Sequence, residues 1–216
     1  MWQYLVVLLL GYIVGSINFS VLVTKFIGKK DIRSIGSGNA GGTNVARAMG
    51  AKWGVAVIIM EILKGVLVGL FAKYIFPADH LALGVLGDEI SGAVAVFGVL
   101  IGNIYPCFFG FKGGKGVTTC AAVIAILDYR VFIILVSLFL VVFFIGRMVS
   151  LGSIIASLGM PISIFIVYHG QPYWWVLCII VGIMALALIW RHSSNIVRIF
   201  KGTENKFKLW KKTEDK

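Results

Sequence analysis
At 216 residues, 59% hydrophobic and only 13% charged, the chain is not an ordinary soluble domain, in which about 25% of residues are charged. A formal net charge of +11 would suit nucleic acid in a soluble protein. Here the basic residues lie in short loops and a tail beside long apolar runs, so anionic membrane headgroups are the expected counterpart and a nucleic-acid partner is excluded.

The first apolar run, 3–23, follows Met-Trp-Gln-Tyr and has neither a basic leader nor a small-x-small cleavage site, so it reads as a retained span. A polar loop, 24–52, follows, with Lys25, Lys29, Lys30, Arg33, Arg47 and Lys52. Further apolar runs lie near 53–76, 90–109, 117–128, 131–146, 149–168 and 172–190. The run 117–128 is too short to cross a bilayer unaided, 131–146 is marginal, and Asp128-Tyr129-Arg130 separates them. The expected fold is therefore all-α: one membrane domain over 1–216, a compact bundle of seven transmembrane helices, or five if 117–146 forms one re-entrant unit. Residues 191–216 form a basic tail.

Charge orients the bundle. Basic residues crowd the 24–52 and 110–116 loops, the turn at Arg147 and the tail, whereas the alternate loops near 78–88, 128–130 and 169–171 carry only Arg130. The positive-inside rule places the N-terminus outside and the C-terminus inside, with the motif loops on the cytoplasmic side of the cell membrane. The pairs Gly11/Gly15, Gly65/Gly69 and Gly98/Gly102 have the spacing that lets helices approach closely. Cys107, Cys120 and Cys178 show neither metal spacing nor a disulfide framework, and no metal or cofactor is expected.

Three segments on the predicted cytoplasmic side carry the chemistry. The first, 36–44 with Arg47, supplies glycines for tight turns, the polar groups of Ser37, Asn39, Thr43 and Asn44, and a planar guanidinium. Thr43 or Asn44 is expected to cap a short helix running through Arg47, aiming amide groups at an anion. The second is Lys112-Gly113-Gly114-Lys115-Gly116. It lacks P-loop spacing but predicts a nest of backbone amides, flanked by two ammonium groups, ahead of a helix beginning near Val117 with Thr118 and Thr119 in its first turn. In the third, His192, Asn195 and Arg198 at i, i+3 and i+6 share a helix face at the end of the last span, and Glu204 follows a turn at Gly202. Within the second span, Glu61 and Lys64 at i, i+3 can pair. Charges at such depth are costly, and a structural ion pair and a functional one are both open. His80 and His169 fall in the opposite loops and receive no role.

Taken in order, Gly-Lys-Lys-Asp-Ile-Arg at 28–33 running into Gly-Ser-Gly-Asn-x-Gly-x-Thr-Asn, then Phe-Lys-Gly-Gly-Lys-Gly-Val-x-Thr, then His-x-x-Asn-Ile-x-Arg with Gly-Thr-Glu, closely resemble the bacterial acyl-phosphate:glycerol-3-phosphate acyltransferase family, PlsY. The resemblance covers nearly the whole chain. It implies transfer of an acyl group from acyl phosphate to the 1-position of glycerol 3-phosphate, the first step of phospholipid synthesis, with no metal and no acyl-CoA. It also implies membrane lipids as surroundings and the acyl-phosphate-producing enzyme as a partner. By the same resemblance Ser37, Arg47, His192 and Asn195 are catalytic. The resemblance also implies that residues 112–116 bind glycerol 3-phosphate and that Glu204 maintains the fold. By their own polarity and placement Asn39, Thr43, Asn44 and Thr118 are expected to bind substrate as well, and the Glu61–Lys64 pair is expected to be structural. The chain departs from the family pattern at Asn18 and Ala40, where Pro is usual, at Gly42, where Ala is usual, and at Glu61, where Asp is usual. The largest departure is Asn103, where His is usual, because Asn keeps hydrogen bonding and loses a titratable group. A catalytically impaired relative that binds lipid precursors, and a transporter of small anions or phosphate esters, are the rival expectations.

Overall fold
The structure, a computed structural model, describes residues 2–74 and 86–207, and among these there are helices and no strands. In chain order the helices are α1 (Trp2–Gly15), α2 (Phe19–Phe26), α3 (Gly42–Met49), α4 (Ala51–Tyr74), α5 (Leu86–Ile104), α6 (Val117–Leu127), α7 (Tyr129–Gly146), α8 (Val149–Tyr168), α9 (Trp174–Arg191) and α10 (Ser193–Phe200). Six spans, with α1 and α2 counted as one, are long and apolar enough to cross a membrane, and α6 is a shorter apolar helix. Six long spans plus α6 match the sevenfold expectation rather than the fivefold one. Asp128 makes α6 and α7 separate helices by accepting the Arg130 and Val131 amides at the start of α7. His80, with Lys208, Lys211, Lys212 and Lys216 of the tail, lies outside the described residues.

Helix α5 lies at the centre, packed on α1, α4, α6 and α9. Its Ala95, Val96, Val99 and Leu100 are buried against Val68 of α4, Val123 of α6 and Met184 and Leu188 of α9. The predicted close approach falls between α1 and α5. A Cβ at Gly11 would lie 2.8 Å from the Ala95 carbonyl oxygen and one at Gly15 2.6 Å from that of Val99, while Gly98 and Gly102 abut the carbonyls of Leu8 and Tyr12. Gly65 of α4 likewise admits the Thr119 carbonyl of α6, 2.6 Å from where its Cβ would be. The outer faces are apolar and exposed, including Leu5 and Leu9 of α1, Leu63 and Leu67 of α4, Phe144 and Ile145 of α7 and Ile179 and Leu186 of α9. Such a belt suits lipid.

The run 3–23 differs from expectation, because it is broken at 16–18 into α1 and α2. A break at this depth frees backbone groups that must be paired. The Asn18 side chain accepts the Val21 amide at 3.0 Å and Glu61 Oε1 accepts the Phe19 amide at 3.3 Å. Lys64 Nζ donates to the carbonyls of Gly15 at 3.3 Å and Ile17 at 2.7 Å, and lies 2.8 Å from Glu61 Oε2. The ion pair therefore straddles the break, with its cation on the carbonyl end of α1 and its anion on the amide end of α2, the arrangement that both helix dipoles favour. Glu61 and Lys64 are buried, at 8% and 4% exposure, so they act as a structural staple.

Candidate active site
The three sequence segments converge on one cavity of about 450 Å³, lined by residues of the 37–44 loop, Arg47, the 113–119 segment, the 190–198 junction and Glu204. Loop 1 is organised from within. Asn44 Oδ1 accepts the Ser37 amide at 3.1 Å, and its Nδ2 donates to the carbonyls of Ile35 at 2.8 Å, Asn39 at 3.1 Å and Ile32 at 3.2 Å. Its hydrogen-bonding capacity is thus spent on the loop, and Asn44 serves as a scaffold where a substrate ligand was expected. The cap of α3 also differs, since Gly41 occupies it with no side-chain bond while Thr43 and Asn44 lie in the first turn. Arg33 ties loop 1 to loop 2 by pairing with Asp31 at 2.7 Å and donating to the carbonyls of Phe109 at 2.7 Å and Lys112 at 3.1 Å. It holds the Asp31 carboxyl down at about 2.

Loop 2 is less of an anion nest than its glycines promise. The Gly113 amide donates to the Ile104 carbonyl at 3.1 Å and the Gly114 amide to that of Asn103 at 3.0 Å. These two amides are occupied, and the turn they form separates the two lysines. Lys112 is exposed and does not line the cavity, whereas Lys115 does. The open amides lie further on. Helix α6 starts at Val117 behind Gly116, and its first internal bond runs from the Cys120 amide to the Gly116 carbonyl at 2.9 Å, so the amides of Val117 and Thr118 precede the ladder at the cavity wall.

The third segment is not the straight end of the last span. The chain turns at His192 (φ −98°, ψ 7°), and α10 starts a new helix whose first residues, Ser193 and Ser194, line the cavity. The amino ends of α3 and α6 therefore face one space and contribute positive dipole character, whereas that of α10 abuts the carboxyl end of α9 at His192, which offsets it. His192 is 2% exposed, and its Nδ1 lies 2.8 Å from the Leu188 carbonyl. That oxygen can only accept, so Nδ1 carries the proton and Nε2 is left as the acceptor. Burial first, then the nearby Lys115 ammonium, push its pKa to about 4, so the ring is neutral at pH 7. Asn195 Oδ1 accepts from Lys115 Nζ, and Asn195 Nδ2 donates to Glu204 Oε1 at 2.8 Å. Glu204 also accepts from Ser150 Oγ at 2.8 Å and Arg198 Nε at 2.8 Å. Burial alone would raise the Glu204 pKa, but its bonds to Asn195, Ser150 and Arg198 outweigh that and lower it. Lys115 is brought down to about 8 by burial, with Arg198, Arg191 and Arg47 adding to the effect against the opposing Glu204.

Arg47, Lys115, Arg191 and Arg198 give the cavity a positive excess over Glu204, since Glu61 is matched by Lys64. Among the described residues Arg47 has no hydrogen-bond or ion-pair partner and is exposed at the cavity wall, ready to meet an anion. Ser37, Asn39, Thr43 and Thr118 line the same space. Ser150 and Arg191 escaped sequence reasoning. Ser150 is one of many small residues in an apolar run, and Arg191 was counted with the basic tail. Asn103 Oδ1 accepts from Lys64 at 3.3 Å and its Nδ2 donates to the Val99 carbonyl at 3.1 Å. Its side chain thus extends the staple.

Residues 5–202 match the family model for glycerol-3-phosphate acyltransferase. The chain belongs to this family. Its relatives include the glycerol-3-phosphate acyltransferases of Chlorobaculum tepidum, 35% identical over 98% of this chain and 100% of that protein, and of Listeria welshimeri, 40% identical over 93% and 94%. A crystal structure of PlsY, an integral membrane glycerol 3-phosphate acyltransferase, in its glycerol 3-phosphate form aligns with a TM-score of 0.81 at 34% identity, covering 95% of this chain and 96% of that one. The lysophosphatidic acid form aligns with a TM-score of 0.75. This acyltransferase is accordingly an integral membrane protein with several apolar helices, and its cavity is the candidate site of acyl transfer.

Proposed function
We propose that the chain transfers an acyl group from an acyl phosphate to the primary hydroxyl of glycerol 3-phosphate, giving 1-acyl-glycerol 3-phosphate and inorganic phosphate. The observation that carries this reading is the convergence of Arg47, Lys115 and the amino ends of α3 and α6 on one cavity beside a neutral, buried imidazole. Such a space neutralises two phosphate groups and leaves an uncharged acceptor between them. The relatives' names support the acceptor, and the glycerol 3-phosphate and lysophosphatidic acid forms of PlsY support the acceptor and the product.

The acceptor oxygen attacks the acyl carbonyl carbon, the bond from that carbon to the phosphate oxygen breaks, and phosphate departs with its electron pair. Because the leaving group is good, the protein supplies position and charge. Lys115 and the first amides of α6 hold the phosphate of glycerol 3-phosphate. Ser37, Arg47 and the amino end of α3 hold that of the acyl phosphate. His192 Nε2 accepts a hydrogen bond from the attacking hydroxyl and orients it. The proton then passes to the departing inorganic phosphate, a stronger base than an imidazole held at about 4. The apolar part of the wall, Phe139, Val149 and Trp190, admits the acyl chain from the bilayer. The basic loops support an outer N-terminus and a cytoplasmic face for this site, the face to which an acyl-phosphate-producing enzyme would deliver the donor. Offering palmitoyl phosphate and palmitoyl-CoA separately to the purified protein tests the donor assignment.

A further inference from the structure
We infer that Arg191 is a positioning residue for acyl transfer, clamping the Gly113–Gly114 turn so that Lys115 is presented to the cavity. The inference rests on reading that cavity as the transfer site. Arg191 closes the last long span, and its Nη2 reaches across 78 and 77 positions of sequence to the carbonyls of Gly113 at 3.3 Å and Gly114 at 3.2 Å. The same two residues spend their amides on Ile104 and Asn103. Gly113 also lies so close to Asn103 that a Cβ there would collide with its carbonyl oxygen. The turn is thus held on its amide side by α5 and on its carbonyl side by a single guanidinium, and Lys115 is the next residue along.

A guanidinium suits this task. Both bonds leave one nitrogen, Nη2, whose two hydrogens lie in the rigid guanidinium plane and serve two carbonyls a residue apart. Its Cζ lies 6.0 Å from the centroid of the Trp190 ring and its Nε is buried, so the group is held away from solvent. Its placement is electrostatically costly in the empty site, because it adds a cation beside Lys115 and His192. A purely structural clamp has no need of that charge. An anion entering the cavity relieves the repulsion, so the clamp also tunes the site toward phosphate.

The test uses the full chain in lipid with whichever donor the wild type accepts, so an error in the donor assignment leaves it intact. Arg191→Gln removes both the Nη2 donor and the charge, and Arg191→Lys keeps the charge but withdraws the planar Nη2 donor. Both variants should keep the wild-type thermal transition and lose kcat/KM for glycerol 3-phosphate, Arg191→Gln by about 100-fold, the scale of a misplacement of about 1 Å at a reacting centre. Most of the loss should appear as a raised KM for glycerol 3-phosphate. The alkaline limb of the kcat/KM profile should move to higher pH in Arg191→Gln, because a like charge beside Lys115 is gone, and stay in place in Arg191→Lys. Should Arg191→Gln fail to fold, Arg191→Lys carries the test through its KM. The inference is overturned if a folded variant keeps kcat/KM within about twofold of wild type, or if Arg191→Gln loses activity equally at every pH with the limb unmoved.

Discussion

Lys115 donates to the side-chain oxygen of Asn195, 80 positions further along the chain. This bond joins the second motif to the third and explains how a half-buried lysine keeps a defined direction. Asn195 in turn leans on Glu204, so the ammonium is aimed by an amide that is itself aimed by a carboxylate. A chain of side-chain hydrogen bonds of this kind fixes a charged group without neutralising it.

Lys115 must be protonated to hold a phosphate, and burial brings its pKa to about 8. Raising pH through that value discharges it, so kcat/KM, which reports the free enzyme, should fall on the alkaline side near pH 8. Lys115→Arg keeps a charge that does not titrate there. Its pH profile should lose the alkaline limb even though its activity is lower. A wild-type limb unchanged in Lys115→Arg would assign the titration elsewhere.

Arg47 is exposed at the cavity and has no partner among the described residues. Arg47→Ala should therefore fold normally and lower kcat/KM by about 100-fold or more, the usual effect of removing one donor that stabilises developing charge. Steady-state kinetics check this, and near wild-type turnover would remove Arg47 from the scheme.

The buried pair predicts an asymmetry in stability. Breaking a buried ion pair from one side costs about 3–5 kcal/mol. Lys64→Met also abandons the carbonyls of Gly15 and Ile17, whereas Glu61→Gln leaves Lys64 those two acceptors and Asn103. Thermal unfolding in detergent should show Lys64→Met as the less stable variant.

Glycines separate by position. A Cβ at Gly113 meets the Asn103 carbonyl and the Pro106 ring, while one at Gly182 in α9 meets nothing within 4 Å. Gly113→Ala should abolish activity by moving the turn. Gly182→Ala should leave activity unchanged and stabilise α9 by about 0.5–1 kcal/mol through reduced chain entropy. Activity and melting temperature of the two variants check this.

Much of the site was legible because its residue types are costly anywhere else. Glycines beside a guanidinium, a Gly-Gly turn between lysines and a His–Asn–Arg series all announced anion chemistry, and charge asymmetry placed them on one side. What sequence could not reveal was which polar groups the protein would use up on itself. Asn44 and the amides of Gly113 and Gly114 look available in one dimension and are consumed by carbonyls brought near only by folding. Lys112 and Lys115 look equivalent until the turn sends them apart. The break at 16–18 was hidden inside an apolar run because its stabilisers, Glu61 and Lys64, come from another helix. Arg191 was masked by the basic tail, and its partners are in loop 2.

The central claim is acyl transfer from an acyl phosphate to glycerol 3-phosphate within this one cavity. The most direct test is product formation by the purified protein in lipid from labelled glycerol 3-phosphate, with palmitoyl phosphate in one arm and palmitoyl-CoA in the other. The account predicts labelled lysophosphatidic acid and released phosphate from the first arm and none from the second. Product from the CoA ester, or no product from palmitoyl phosphate with the protein folded, would contradict it.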